Sequence, residues 1–279
     1  VQGSDDEFHD VGCYENLCYD LPWEYLFPEY AETNEGDPCE KIERVIKIAK
    51  DTNIKPAFSI ITGDISQNGS TSGYEMAKEY FAQIESLGGP VLPVMGNVDE
   101  RTRFHENLLK GTELENGSSC YYSVNVDGVR VIVLDSQNPD DHTGILNEKQ
   151  LSWLEKELAL EHDPTLIAMH HPTFALHLPN DRKHIVFDKT SMARFQDIVS
   201  KSKVKLVLCG HLHQSLYVES NEIKYLVGAA ALSESHIEMY NANIYDSLGF
   251  NQVTIDGDHI NIKPVIYTEE RKLLITKKI

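Results

Sequence analysis

The chain predicts an α/β fold with a mixed β-sheet or two packed sheets, and three observations predict it. Between residues 38 and 209, short apolar runs rich in β-branched residues alternate with amphipathic stretches of helical length. The run at 204–209 is apolar enough to be a strand buried on both faces. From residue 215 onward the helical period gives way to consecutive β-like runs, which adds strands without adding helices. No repeat, low-complexity tract or linker divides the sequence, so residues 1–279 read as a single domain. Within it, residues 1–38 form an irregular N-terminal segment rich in Asp, Glu, Tyr, Pro and Trp.

In chain order, Pro38-Cys39-Glu40 opens a helix that carries Ile42, Val45, Ile46 and Ala49 at helical spacing, and Lys55-Pro56 ends it. Residues 57–62 are a β run that stops at Gly63-Asp64. A helix over 73–87 is closed by Gly88-Gly89-Pro90, and a strand over 91–95 stops at Gly96-Asn97. Residues 120–126 alternate as a strand, Asp127-Gly128 is a hairpin turn, and 129–134 return. The helix over 147–160 carries Leu151, Trp153, Leu154 and Leu158, and a strand over 165–169 runs into His170-His171-Pro172. A helix over 190–202 precedes the 204–209 strand, after which strands are expected at 216–218, 223–227, 252–255 and 259–266.

Composition narrows the function. With 25 Lys and Arg against 44 Asp and Glu, the net charge of −19 argues against extended nucleic acid or anionic membrane as a partner. It does not argue against a small phosphate ester held at a local metal site, because a divalent ion reverses the local field. No apolar run reaches the ~18–20 residues that span a bilayer. The start has neither a signal peptide nor an initiating Met. Cys13, Cys18 and Cys39 could form a disulfide in an exported protein or stay as thiols in the cytoplasm, which is slightly favoured. Cys209 reads as a small buried hydrophobe. A homodimer is left open.

The chemistry lies in one pattern used four times. Apolar strands end at Asp64, at Asn97, at His170 and at His211 with His213, and three of the four place Gly before the polar residue. Singly, each has an ordinary explanation: a turn, a helix cap or a hydrogen-bonded core histidine. Jointly, neighbouring strands would deliver a carboxylate, an amide oxygen and three imidazoles to one rim. That mixed set of nitrogen and oxygen donors suits Mn, Fe, Zn or Ni. Adjacent residues at a strand end point in opposite directions, so His170 is the expected ligand and His171 is expected to hydrogen-bond a neighbour.

Gly63-Asp64, Gly96-Asn97-Val98-Asp99, His170-His171-Pro172 and Gly210-His211-Leu212-His213 resemble, in this order, the motifs of the calcineurin-like metallophosphoesterase superfamily. The similar branch is that of the class III cyclic-nucleotide phosphodiesterases and related glycerophosphodiesterases, over roughly residues 40–270. The resemblance implies a four-layer αββα sandwich of two mixed sheets flanked by helices, with two divalent ions (Mn, Fe or Zn). Asp64 would bridge the ions, Asn97, His170 and His211 would complete one site, and His213 would belong to the other. A metal-held hydroxide would attack the phosphorus of a small phosphoester. Asn97, Arg101, His142 and His177 are the candidates for contact with substrate, and Arg182 is a further cation near them.

The sequence departs from the family twice. The family's Asp-x-His motif, which supplies two ligands to the second metal, occurs nowhere in residues 1–63. It could precede this chain, be replaced by Asp6, His9 or Asp10, or leave the centre mononuclear. Val98 stands where the family has a catalytic His, and His171, His142 or His177 could stand in for it. Three functions follow: a metal-dependent phosphodiesterase, a phosphomonoesterase or nucleotide pyrophosphatase on the same fold, and a weakened pseudoenzyme that binds a ligand or partner.

Overall fold

Apolar runs well separated in sequence find one another in a six-stranded mixed sheet, which positions half of the candidate site. The computed structural model describes residues 38–109, 120–160, 164–177, 183–184, 186–220, 222–229, 231, 234–237, 241–256 and 259–278. The sheet takes β3 (Tyr122–Val126), β4 (Val129–Val133), β5 (Thr165–Ala168), β8 (Leu206–Cys209), β10 (Ile223–Val227) and β9 (Leu216–Ser220), in the order β3-β4-β5-β8-β10-β9. The four central strands are parallel, and β3 and β9 pair antiparallel at the two edges. Val133, Ala168, Leu208 and Leu226 stand in register across the centre. The residues after β4, β5 and β8 therefore leave the sheet along one rim.

Each sheet face buries its own core. On one face Ile132, Ile167, Val207 and Tyr225 pack with Leu151 and Leu154 of α4 (Glu148–Leu158) and Phe195 and Ile198 of α5 (Lys189–Ser200). On the other face Val131, Val133, Leu166, Ala168 and Leu206 meet a second β layer. That layer contains the parallel pair β1 (Ser59–Ile61) and β2 (Val91–Pro93), and the ribbon of β12 (Asn241–Asp256) and β13 (His259–Lys278). Ile60, Ile61, Leu92, Val253, Ile255 and Ile260 all reach this central core. Outside the second layer, α1 (Pro38–Asp51) packs Ile42 and Ile46 against Met76, Tyr80 and Ile84 of α2 (Thr71–Glu85). The result is the expected succession of helix, sheet, sheet and helix, with the second β layer built from a parallel pair and an antiparallel ribbon.

Side chains close the helix ends where the chain turns toward the rim. Ser70 caps α2 at the Gly73 N–H, Asn147 caps α4 at Gln150, and Asp188 caps α5 at Ser191. The structure also contains elements the sequence pattern does not announce. Helix α3 (Arg101–Leu108) buries only Phe104 along its length, so it has no apolar stripe to read. Strands β6 (Leu176–His177), β7 (Lys183–His184) and β11 (Glu234–Ile237) are short. β12 and β13 run to 16 and 20 residues, well beyond the expected 252–255 and 259–266. Their extra length mixes polar and apolar residues without a clean alternation and is held by ladder pairing, with register shifts near Tyr245 and Asp246. The expectations for residues 1–37, Cys13, Cys18, Asp6, His9 and Asp10 lie outside the described residues. Cys39, one of the three cysteines that could pair or stay as thiols, places its Sγ 3.5 Å from Met76 Sδ. Cys209 is fully buried in the core, as a small apolar residue would be.

Candidate metal centre

The rim of the six-stranded sheet delivers His170 and His171 from the end of β5, and His211 and His213 from the turn after β8. From the second layer, the turn after β1 delivers Asp64, and the turn after β2 delivers Asn97. Asp64, His211 and His213 hold left-handed backbone angles, with φ of 55°, 70° and 46°. Such angles are uncommon for residues with a Cβ and concentrate where a side chain must be aimed rather than relaxed.

The four inward atoms converge on His170 Nε2. Asn97 Oδ1 lies 2.9 Å from it, and Asp64 Oδ2 and His211 Nδ1 lie 3.2 Å from it. Asn97 Oδ1 is also 3.0 Å from His211 Nδ1. His170 Nδ1–H donates to the Thr62 carbonyl at 2.7 Å, which directs the lone pair of Nε2 into the cluster. Asp64 Oδ2 is buried and faces His170 Nε2. Lone pairs this close repel one another unless a proton or a cation lies among them. The donor set of one carboxylate, one amide oxygen and two imidazoles fits a divalent transition metal.

Electrostatics agree with that reading. Burial pushes the Asp64 carboxyl up, but His170, His211 and the Val98 N–H together hold it well below the ordinary carboxylate range. Burial alone would lower His170, and the Asp64 charge and hydrogen bond raise it above its ordinary value. Burial brings His213 down to about 4. His170 must release its Nε2 proton to take a cation, so Mn²⁺ affinity is expected to fall as pH drops through the raised His170 pKa. The apoprotein should respond with the opposite sign. A raised imidazole pKa adds stability that is fully present below its ordinary value of 6.5 and lost as pH rises through the folded value. The rise in melting temperature on adding Mn²⁺ should therefore be larger at pH 8 than at pH 6, and equal rises would contradict a proton–metal competition at His170.

Buried Asp99 and half-buried Gln137 hold the candidate ligand turns together. Asp99 accepts the N–H groups of Ile65, Ser66 and Gly96 at 2.9–3.2 Å, and the Tyr74 hydroxyl at 3.1 Å. Burial and the nearby Asp64 charge push Asp99 up to about 6, against those backbone donors. Gln137 Nε2 donates to the Asp99 carbonyl at 2.7 Å and approaches those of Gly96 and Asn97 at 3.3 Å. The close approach of the two turns leaves no room at Gly96, where a Cβ would fall on Asp64 Oδ1 and the Asp64 backbone nitrogen. Gly96→Ala is expected to destabilise the fold by ~1–3 kcal/mol, the usual cost of overpacking. It should also displace Asp64, measurable as a lower melting temperature and weakened Mn²⁺ binding.

Other expected site residues are placed differently. The imidazoles of His170, His171 and His211 each bring a nitrogen within 4.8 Å of the others. Both His171 nitrogens are already used, however: Nδ1 faces Ser136 Oγ at 2.9 Å and Nε2 donates to the His142 carbonyl at 3.1 Å. Burial, with His211 and His170 beside it, also holds His171 well below its ordinary pKa. Arg101, expected at the substrate, gives its Nε and Nη2 to Asp135 at 2.8 and 3.3 Å, so its charge is spent inside the protein. Val98 is half-buried, and its N–H donates to Asp64 Oδ1 at 3.2 Å. His142 is exposed, and its Nδ1 lies 3.2 Å from Asn97 Nδ2. The side chain of His177 and all of Arg182 lie outside the described residues. Ser136 and Gln137 were missed in the sequence. They follow β4 as Asp64 follows β1, an apolar run ending in polar residues, but with no glycine to mark it.

Comparison with known proteins gives a family model described as calcineurin-like phosphoesterase, which matches residues 30–215. A probable cyclic nucleotide phosphodiesterase of Rhodococcus erythropolis is 30% identical over 181 residues, covering 64% of this chain and 58% of the relative. A probable glycerophosphodiester phosphodiesterase of Arcobacter nitrofigilis is 28% identical over 179 residues, covering 63% of each. The chain thus spans about three fifths of the length of these relatives. Among solved structures, a dimetal phosphatase from Danio rerio superposes with a TM-score of 0.55 at 14% identity, covering 75% of this chain and 86% of that one. This last likeness concerns the fold.

Proposed function

The chain belongs to the calcineurin-like phosphoesterase family, and from that premise we propose that it is a metal-dependent hydrolase of small phosphodiesters, with cyclic nucleotides or glycerophosphodiesters as the substrate class. The observation that carries the reading is the convergence of Asp64 Oδ2, Asn97 Oδ1 and His211 Nδ1 within 3.2 Å of His170 Nε2. These four residues would hold one divalent ion, and among the described residues Asp64 with His213 would serve a second. Such ions supply positive charge against phosphoryl oxygens and make water acidic enough to act as a nucleophile near neutral pH.

The protein's own part is to aim and to insulate. Thr62 fixes the His170 tautomer, and the Val98 N–H takes one Asp64 oxygen so that the other faces inward. Asp99 holds the Asp64 and Asn97 turns at a constant separation. His171, bonded to Ser136 and to the 138–144 loop, supports the rim without entering the cluster. Each arrangement limits reorganisation during reaction, which is where preorganised sites gain rate.

A second reading has its own observation. An aliphatic Val98 can neither protonate a leaving oxygen nor donate to a phosphoryl group, which favours a weakened enzyme or a binding protein. Turnover of bis-nitrophenyl phosphate and of nitrophenyl phosphate, with Mn²⁺ added and bound metal measured by elemental mass spectrometry, tests both. Faster diester than monoester turnover by a metal-loaded chain supports the proposal, and faster monoester turnover supports a phosphomonoesterase. Bound metal with neither activity supports the second reading, and a chain that takes up no metal contradicts both.

A further inference from the structure

Among the four inward residues, Asn97 can turn either an accepting or a donating end of one group toward a cation. Its carboxamide has nearly the same shape after a half-turn, but one end accepts and the other only donates. Here Oδ1 points inward, 2.9 Å from His170 Nε2 and 3.0 Å from His211 Nδ1. Nδ2 points outward and donates to His142 Nδ1 at 3.2 Å. Without an outer acceptor, the reversed amide would donate to the His170 lone pair and fill the cluster with an N–H group.

We propose that His142 is a positioning residue that selects the oxygen face of Asn97 and so completes the cation site. The inference rests on the metal reading above. The loop is built to hold this imidazole in place. The His142 carbonyl accepts from His171 Nε2 at 3.1 Å, and Asp141 Oδ1 accepts from the N–H of Thr143. Gly144 bonds through its N–H to the Val186 carbonyl and through its carbonyl to the Asp188 N–H, at 2.8 and 2.7 Å. These contacts use backbone and neighbouring side chains, so truncating His142 leaves them in place and removes the acceptor for Asn97.

The test is Mn²⁺ binding to the full chain, followed by electron paramagnetic resonance of the unbound ion, in the unaltered protein, His142→Ala and His142→Asn. Asparagine can present an oxygen near the position of Nδ1. His142→Ala should weaken Mn²⁺ binding ~10–100-fold, the usual effect of losing a group that orients a ligand. Its apo melting temperature should stay close to that of the unaltered protein, and His142→Asn should recover most of the affinity. Equal affinity in the alanine variant would overturn the role of His142 while leaving the metal reading in place. Equal weakening in both variants would overturn the acceptor argument. An unaltered chain that binds no Mn²⁺ would remove the metal reading and this inference with it.

Discussion

Asp64→Asn is expected to empty the centre and to lower phosphodiester turnover by ~10³-fold or more. The estimate takes the charge stabilisation supplied by a catalytic ion as several kcal/mol, at ~1.4 kcal/mol per decade of rate. Asparagine keeps the shape, tolerates the left-handed backbone at φ 55°, and retains an oxygen for the Val98 N–H. What it loses is the negative charge that faces His170 at 3.2 Å. With that charge gone, burial is opposed only by the Thr62 carbonyl and the Asp99 charge, and the His170 pKa should fall from its raised value. Elemental analysis of the purified variant should find less bound metal, and its circular dichroism should match the unaltered protein. Full metal content and full turnover would exclude Asp64 from the centre.

Val98→His is expected to work in the other direction. A positioned acid typically contributes ~10²–10⁴-fold, mostly with leaving groups that are poor without protonation. The backbone at this position is fixed by the N–H bond to Asp64 Oδ1, and the half-buried side chain has an open side toward solvent. The gain should therefore be near ~10²-fold for an alkyl phosphodiester and only a few-fold for a nitrophenyl ester, whose leaving group needs little help. The ratio of the two rates is the measurement. No change in that ratio would mean that leaving-group protonation does not pass through this position.

The sequence carried the ligand candidates because each is placed by local chemistry: an apolar run fixes the strand, and the residue at its end follows. Asp64, Asn97, His170 and His211 are legible in this way, and the structure brings them together. Arg101 shows why the rest was hidden. Its charge is visible in sequence, but its partner Asp135 lies 34 residues away, beyond a helix and two strands. Asp99 and Gln137 act on backbone N–H and carbonyl groups, whose positions no side-chain pattern encodes. The full lengths of β12 and β13 were equally invisible, since their outer parts mix polar and apolar residues and a ladder extends them once its register is set.

The left-handed angles at Asp64, His211 and His213 bear on how this chain would behave under selection for heat resistance. Each conformation costs a residue with a side chain ~1–2 kcal/mol relative to its relaxed form, and glycine largely escapes that cost. A screen scored on stability alone would accumulate glycine at these positions and return hardier chains that have lost their chemistry. Directed evolution of this protein therefore has to score metal retention alongside survival on heating, because three of its left-handed residues are candidate ligands.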